Sequence, residues 1–336
     1  KKLIILTVIV VVIIISIAAF IAYAFLSNGN NSSENNMNFQ LYNESNSKPT
    51  VNTENNIGQN TVVPVENSNN EQAQTQGSST TDTNTYYYKQ LSNTAKKIYD
   101  GLKKHKEDMK TGTYVIDFGT EFNSILNGAD GEEILNQEYQ SAWNAFSYDN
   151  VDLYYLDINK VSMVMEARTE GATTTYYVKI GPGDYSSYLS STFANKKEIE
   201  DADAYIKDIR NQVMSILGPY NNAMKIKVVN EWMIDNLSYE NIEGNNNKYN
   251  LYGAIVETKV VCEGYARMFK YIMDGLNIPC ILVSGTATNS EGETELHAWN
   301  YVELNGQWYA VDVTWNDPVV IGEGELTESQ KSKYLL

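Results

Sequence analysis

The sequence predicts an α+β protein with a helix followed by an antiparallel hairpin, preceded by a smaller α+β segment and an amino-terminal transmembrane helix. Three observations lead to this class. Apolar residues recur with a helical period over 262–276. Asn305-Gly306 separates two β-rich runs, which is the strongest short-range hairpin signal. The run from Leu3 to Leu26 is apolar and uncharged, and it is long enough to cross a bilayer as a helix.

The composition excludes several classes of protein. The 336 residues include 42 acidic and 25 basic side chains, and the net charge of −17 repels nucleic acid. Two cysteines and two histidines are too few for a disulfide scaffold or an ordinary zinc finger. Neither a Gly-rich phosphate loop nor an acidic run with calcium-loop spacing occurs in the sequence. We therefore expect no cofactor, no metal and no nucleic-acid partner.

The amino end carries the predicted membrane anchor, residues 1–26. As a helix, the apolar run reaches roughly 36 Å, and it is longer than the apolar region of a signal peptide, which has about 7–15 residues. A cleaved signal peptide is the alternative, because Ala22-Tyr23-Ala24 fits a cleavage site. Lys1-Lys2 precede the run and the next basic residue is Lys48, so the positive-inside rule places the amino end in the cytoplasm. Both alternatives place the rest of the chain outside the cytoplasm. The anchor predicts a single-pass protein of the cell membrane, with its folded part outside the cytoplasm.

Three segments follow the predicted anchor. Residues 27–85 are Asn-rich and polar, and they cannot bury enough apolar surface to fold, so they are predicted to be a disordered linker. Residues 86–190 are predicted to form a small α+β subdomain without chemistry of its own, and residues 191–336 the domain with the candidate site. The chain starts without Met and ends in the apolar Tyr334-Leu335-Leu336, which predicts a fragment truncated at its carboxyl end.

Periodicity predicts the remaining elements of the body. A first amphipathic helix covers about 89–109, and His105 continues its apolar stripe, so we expect no chemical role for His105. The other predicted elements are a helix at 131–147, strands at 152–158, 160–167 and 173–180, and helices at 197–217 and 222–237.

The helix over 262–276 places Cys262 at its first position, on the apolar side that faces the core. Unpaired backbone N–H groups and the positive end of the helix dipole surround a thiol at such a position. These surroundings lower the pKa values of thiols in general. A buried structural cysteine is the alternative. We expect that structural role for Cys280, which follows Pro279 in an apolar strand.

The Asn305-Gly306 turn sets the register of the strands at 296–304 and 307–315. In that register His297 faces Thr314, and Asp312 faces Trp299. His297 and Asp312 then lie on one face of the sheet as diagonal neighbours, about 7–8 Å apart, a gap that their side chains can bridge.

Cys262, His297 and Asp312 are the residue types of a nucleophilic site. A thiolate attacks a carbonyl, an imidazole moves protons, and a carboxylate orients the imidazole. Spacing alone leaves open that they are a core cysteine, a strand histidine and a surface aspartate. A metal site formed by Cys262, Cys280 and His297 is disfavoured, because these residues lie far apart without paired ligand spacing.

Several short segments resemble the transglutaminase-like superfamily, and together they cover about residues 223–318. They are Tyr252-Gly-Ala-Ile-Val256, Val261-Cys-Glu-Gly-Tyr-Ala266, Asn277-Ile-Pro279, Val283-Ser-Gly285, His297-Ala-Trp-Asn300 and Val311-Asp-Val-Thr-Trp315. The resemblance implies a papain-like fold, with the cysteine on a helix packed against the antiparallel sheet that carries the histidine and the aspartate.

The match of motifs also implies roles for single residues. Cys262 would be the nucleophile and the donor of a backbone N–H to the oxyanion, His297 the general base, and Asp312 the orienting residue. Gly264 is expected to permit close packing at the helix start, and Trp299 to fill the core.

The resemblance implies an acyl-transfer enzyme in which Cys262 forms a thioester with a carboxamide or amide of a protein or peptide. An amine acceptor gives cross-linking, whereas water gives proteolysis or deamidation, and both acceptors stay open. A non-catalytic binding module of the cell surface is the alternative from another class. From the predicted topology, surface proteins or cell-wall peptides are the expected substrates.

Overall fold

The computed structural model describes residues 85–241, 243–288 and 294–317. The predicted membrane anchor (1–26), nearly all of the predicted linker (27–85) and the carboxyl-terminal residues from 318 onward lie outside these ranges. Within them, no helix combines the length and the apolar character needed to cross a bilayer. The anchor and the linker therefore stay predictions.

The described chain is a mixture of helices and antiparallel sheets, which confirms the predicted α+β class. The helices are α1 (Asn93–Lys104), α2 (Asn123–Leu126), α3 (Gly131–Asp149), α4 (Lys196–Leu217), α5 (Asn222–Asn236), α6 (Cys262–Gly275) and α7 (Val313–Asn316). The strands are β1 (Ile116–Gly119), β2 (Ser162–Glu170), β3 (Thr173–Gly181), β4 (Ser238–Tyr239), β5 (Lys259–Val260), β6 (Cys280–Thr288), β7 (Thr294–Leu304) and β8 (Gln307–Val311).

The first sheet has the order β1-β3-β2 and lies in the predicted upstream subdomain. The strand predicted at 152–158 is wrong, because this segment forms turns and a single bridge between Leu156 and Leu189. Residues 153–156 are all buried. Such a continuous apolar run is typical of a buried strand, but here successive turns carry the same side chains into the core.

The helix predicted at 89–109 is shorter in the structure, where it runs from Asn93 to Lys104. Its start is set by Ser92, whose side chain accepts a hydrogen bond from the Ala95 backbone N–H at 3.0 Å. The predicted helices at 131–147, 197–217 and 222–237 are confirmed within two residues.

The second sheet has the order β6-β7-β8, all antiparallel, and positions the candidate site. The turn between β7 and β8 has positive φ at Asn305 (55°) and Gly306 (80°), and Leu304 pairs with Gln307. The hairpin and its register are therefore as predicted. The predicted continuation of the second strand to residue 315 is wrong, because β8 ends at Val311 and the chain turns into α7.

Helix α6 packs against β6 and β7 and is tied to them by a buried amide. The Asn300 side chain on β7 donates hydrogen bonds to the backbone oxygens of Ala266 on α6, at 3.1 Å, and of Ile281 on β6, at 3.3 Å. The helix that begins with Cys262 and the strand that carries His297 are thereby held in one arrangement. A single cluster of buried apolar residues extends from Ala95 to Val313, so both predicted segments of the body contribute to one core.

Candidate active site

Cys262 is the first residue of α6, as the helical pattern predicted. It faced the core in that prediction, and in the structure it is partly exposed. Val261 precedes it in an extended conformation and its side chain caps none of the N–H groups of the first turn. The parallel pairing of Tyr239 with Val260 holds the chain directly before the helix. The thiol therefore lies beside backbone donors at the positive end of a helix.

His297 lies on β7 and is 5% exposed. Its Nε2 atom is 2.7 Å from Oδ2 of Asp312. Cys262 lines the same cleft and is close enough to the imidazole to affect its pKa. Because Nε2 of His297 is hydrogen-bonded to Asp312, Nδ1 is the ring nitrogen that is available to the Cys262 thiol. Burial lowers the pKa of His297, but the hydrogen bonds and charges of Asp312 and Cys262 outweigh burial and raise it to about 9.

Asp312 has a different partner for each of its carboxylate oxygens. Oδ2 faces His297, and Oδ1 accepts a hydrogen bond at 3.0 Å from the backbone N–H of Trp315. Asp312 is thus the N-cap of α7 rather than a strand residue. The helix cap orients the carboxylate, and the carboxylate orients the imidazole.

Two indole rings flank the imidazole. The Trp315 ring is stacked on His297 with centroids 4.9 Å apart, and the Trp299 ring lies 5.8 Å away and nearly parallel. Aromatic faces favour a cation, so both rings favour the protonated imidazole. Trp299 is buried, in keeping with the expected core position, and Trp315 contacts the site although its motif suggested only the end of a strand.

Tyr239 is a further side chain close to Cys262. Burial raises the pKa of Tyr239 to about 12, and the negative charges of Cys262 and Glu295 act in the same direction. The β4–β5 pairing places Tyr239 beside Val260, two positions before the thiol. Sequence reasoning missed this residue, because a two-residue parallel pairing has no recognisable pattern.

A cleft of about 170 Å³ opens over Cys262 and His297. One wall comes from α3 and consists of Trp143, Asn144, Ser147 and Tyr148. The hydroxyl groups of Tyr148 and Ser284 lie 2.5 Å apart and join α3 to β6 at this wall. The segment 86–190, for which no chemistry was predicted, therefore forms part of the candidate site.

Arg267 fastens this wall to the first turns of α6. Its Nε and Nη2 atoms donate to Oε1 of Glu263 at 2.9 and 2.7 Å. Its Nη1 and Nη2 atoms donate to the backbone oxygen and the Oγ atom of Ser147 at 3.2 and 3.0 Å. The guanidinium is nearly buried, and its charge is balanced by Glu263 within the protein.

Comparison with known proteins agrees with the resemblance in the motifs. Residues 210–313 match the family described as the transglutaminase-like superfamily. Kyphoscoliosis peptidase from Mus musculus and from Homo sapiens is 25% identical over 157 residues, which are 41% of this chain and 23% of either relative. The match thus spans about a quarter of the length of these curated relatives.

Solved structures with similar chains are distant in sequence. A structure described as a TGase has 12% identity and a TM-score of 0.32, over 52% of this chain and 50% of that chain. A putative cysteine protease from Cytophaga hutchinsonii has 16% identity and a TM-score of 0.28, over 46% and 64% of the two chains. These scores are too low to support an argument about the site.

In the transglutaminase-like core the three predicted site residues come together, whereas Cys280 and His105 lie elsewhere. Cys280 is completely buried in β6, and burial raises the pKa of its thiol. His105 pairs with Asp108 at 2.9 Å and stacks on Tyr114. Within residues 85–241, 243–288 and 294–317, no group of three His, Cys, Asp or Glu side chains is placed to hold a metal ion.

Proposed function

We propose that this protein is a thiol acyl-transfer enzyme that acts on a carboxamide or amide of a protein or peptide, with Cys262, His297 and Asp312 as its catalytic residues. One observation carries the proposal. The Cys262 thiol, at the start of a helix, lines one cleft with a buried imidazole whose Nε2 atom is 2.7 Å from an oriented carboxylate. The match of residues 210–313 to the transglutaminase-like superfamily supports the same chemistry.

The resting form in this proposal is a thiolate beside an imidazolium. A pKa of about 9 keeps His297 protonated at neutral pH, and the facing Asp312 and stacked indoles stabilise that charge. The thiolate sulfur attacks the carbonyl carbon and the carbonyl oxygen becomes an oxyanion. The backbone N–H of Cys262 and the Tyr239 phenol are the proposed donors to it.

Collapse of the tetrahedral intermediate breaks the carbon–nitrogen bond and leaves a thioester on Cys262. His297 gives its proton to the leaving nitrogen, which departs as ammonia from a carboxamide or as an amine from an amide. His297, now neutral, takes a proton from the incoming acceptor. The acceptor attacks the thioester carbonyl, the carbon–sulfur bond breaks, and the Cys262 thiolate and the His297 imidazolium are restored. An amine acceptor yields a new amide, and water yields a carboxylic acid. The name of the peptidase relatives favours neither acceptor for this chain, since the match spans only a small part of them.

The predicted topology gives the proposed location. An anchor at 1–26 and a linker at 27–85 would hold the enzyme at the outer face of the cell membrane, so proteins of the cell surface or peptides of the cell wall are its proposed substrates. The net charge of −17 argues against nucleic acid as a partner.

The test uses the two cysteines as probe and control. Iodoacetamide labelling from pH 4 to 9, followed by peptide mass spectrometry, is expected to modify Cys262 below pH 7 and to leave the buried Cys280 unmodified in the folded protein. In His297→Ala the labelling of Cys262 should move toward pH 8.5, near the pKa of an ordinary thiol.

Activity is read in parallel by ammonia release from glutamine-containing proteins and by incorporation of a fluorescent primary amine. Both signals should vanish in Cys262→Ser and persist in the matched Cys280→Ser. Labelling of Cys262 that requires pH above 8 in the wild-type protein would remove the basis of the enzyme proposal. A cell-surface phenotype that survives Cys262→Ala would then favour the binding module.

A further inference from the structure

A second cavity, of about 370 Å³, adjoins the cleft over Cys262. Its volume is within the range of about 300–1,000 Å³ that is usual for ligand sites. The two cavities adjoin each other and share part of their lining. The shared residues are Trp143, Ser147, Ile158, Tyr249, Glu263 and Arg267.

The charged side chains of the second cavity have partners within the protein. Arg267 is paired with Glu263 at 2.7 Å, and Asp157 with Lys160 at 3.0 Å. The polar lining includes the side chains of Asn159 and Asn246, two exposed residues that belong to two short 3-10 helices. Carboxamides donate and accept hydrogen bonds without charge. The lining therefore suits polypeptide backbone and neutral polar side chains, and it offers no counter-ion to a charged one.

The entrance to the cleft is lined by large apolar side chains that are exposed. Ile158, Tyr249 and Leu296 are 53%, 43% and 45% exposed, and all three line the cleft over Cys262. Exposed apolar residues gathered at a concave site mark a surface that another molecule covers. A polypeptide would cover this surface on either side of the reacting carbonyl, whereas a small amide would leave it in water.

We propose that the two cavities form one groove for an extended polypeptide, with the reacting carbonyl at Cys262 and uncharged flanking residues in the second cavity. This inference rests on the proposed function and adds the class of substrate. Trp143, Ser147, Ile158 and Asn159 lie outside the superfamily match at 210–313. The upstream segment therefore contributes, with residues of the matched region, to selecting the flanking residues.

The experiment measures alkylation of Cys262 by electrophiles of increasing length on the full-length protein. Chloroacetamide is the reference. The peptides carry a chloroacetyl group on a central 2,3-diaminopropionate, with two Gly, Ser or Gln residues added before it, after it, or on both sides. In every case the Cys262 sulfur displaces chloride and forms a thioether. The readout is the peptide rate divided by the chloroacetamide rate, which cancels the reactivity of the thiol.

At least one peptide series is expected to raise this ratio about tenfold, which corresponds to roughly 1.4 kcal/mol of added binding. Aspartate or lysine in place of the flanking residues should remove the gain. Asn246→Trp and Asn159→Trp each place a large ring in the lining of the second cavity and should lower the ratio. Asn211→Trp adds the same ring on the exposed face of α4, in neither cavity, and should keep the wild-type ratio.

The two proposals fail in different ways. If chloroacetamide itself modifies Cys262 no faster than a cysteine of the unfolded protein, the proposed function fails. If Cys262 is reactive but every ratio stays near one, or if both groove variants keep the wild-type ratio, the polypeptide groove is wrong and the acyl-transfer site stands.

Discussion

Asp312 joins backbone structure to proton chemistry within one side chain. Its Oδ1 atom caps α7 through the N–H of Trp315, and its Oδ2 atom faces Nε2 of His297. Asparagine caps a helix as well as aspartate does, but it has no charge. The two tasks of this residue can therefore be separated by substitution.

We predict that Asp312→Asn keeps the fold and lowers the pKa of His297 from about 9, because burial then acts with less opposition. Asp312→Ala should lower this pKa as well and cost about 1 kcal/mol of stability through the lost cap. NMR titration of the imidazoles measures the effect. The sequence has only two histidines, so His105 serves as the internal reference. An unchanged titration of His297 in Asp312→Asn would contradict the assigned pairing.

At the scale of the element, the start of α6 is packed without space for a side chain at Gly264. A Cβ atom there would lie 2.5 Å from Cβ of Val260 and 2.8 Å from the backbone oxygen of Lys248. The expectation that Gly264 permits close packing agrees with this geometry. Because β5 and the backbone before α6 cannot move aside freely, the helix start itself would have to shift.

Gly264→Ala is therefore expected to lower the free energy of unfolding by about 1–3 kcal/mol and to change the labelling rate of Cys262. Gly101→Ala in α1 is the comparison, since its Cβ would come close to the ring of Phe118, a side chain that can turn, and would meet Ile116 at an ordinary contact distance. Urea unfolding gives the stability and iodoacetamide the reactivity. Equal losses of unfolding free energy in Gly264→Ala and Gly101→Ala would show that the backbone contact at Gly264 does not add to the cost.

At the scale of the whole molecule, burial raises the pKa of several acidic groups. The carboxyl of Asp149 reaches about 6, and Glu231, Asp274 and Asp317 shift in the same direction. A raised carboxyl pKa favours the protonated folded state, so this contribution is present below about pH 4 and is lost as the pH rises through the folded value. The raised pKa of His297 stabilises the folded protein below the unfolded pKa of about 6.5, and this stabilisation is lost as the pH rises to the folded pKa of about 9.

The protein should therefore be more stable at pH 5 than at pH 8.5, and self-repulsion from the charge of −17 acts in the same direction. Urea midpoints across this interval measure the trend. Asp149→Asn should reduce the change of the urea midpoint between pH 4 and 6, because it removes a group that titrates there. This holds even if the substitution shifts all midpoints by a constant amount. A midpoint that rises steadily from pH 5 to 8.5 would contradict the prediction.

Local pattern was sufficient for the elements that carry the candidate site. The helical period and the position of Cys262 predicted where α6 begins, and Asn305-Gly306 predicted the hairpin and its register. Both are determined by interactions between residues close in sequence, namely apolar periodicity and the positive φ values of a tight turn. The catalytic roles of Cys262, His297 and Asp312 stay predictions that the labelling and titration experiments test.

Features that depend on distant parts of the chain were not predicted. The strand ends at Val311 because the Asp312 side chain caps α7, and the stack of Trp315 on His297 follows from that turn. Tyr239 reaches the site through a two-residue pairing, and α3 walls the cleft through contacts more than 100 residues apart, such as Arg267 with Ser147. The sequence by itself therefore determined the helix, the hairpin and the residues available for chemistry. Only the packing of the tertiary structure decided how those residues are oriented and what encloses them, because burial and charge act between elements that no local pattern connects.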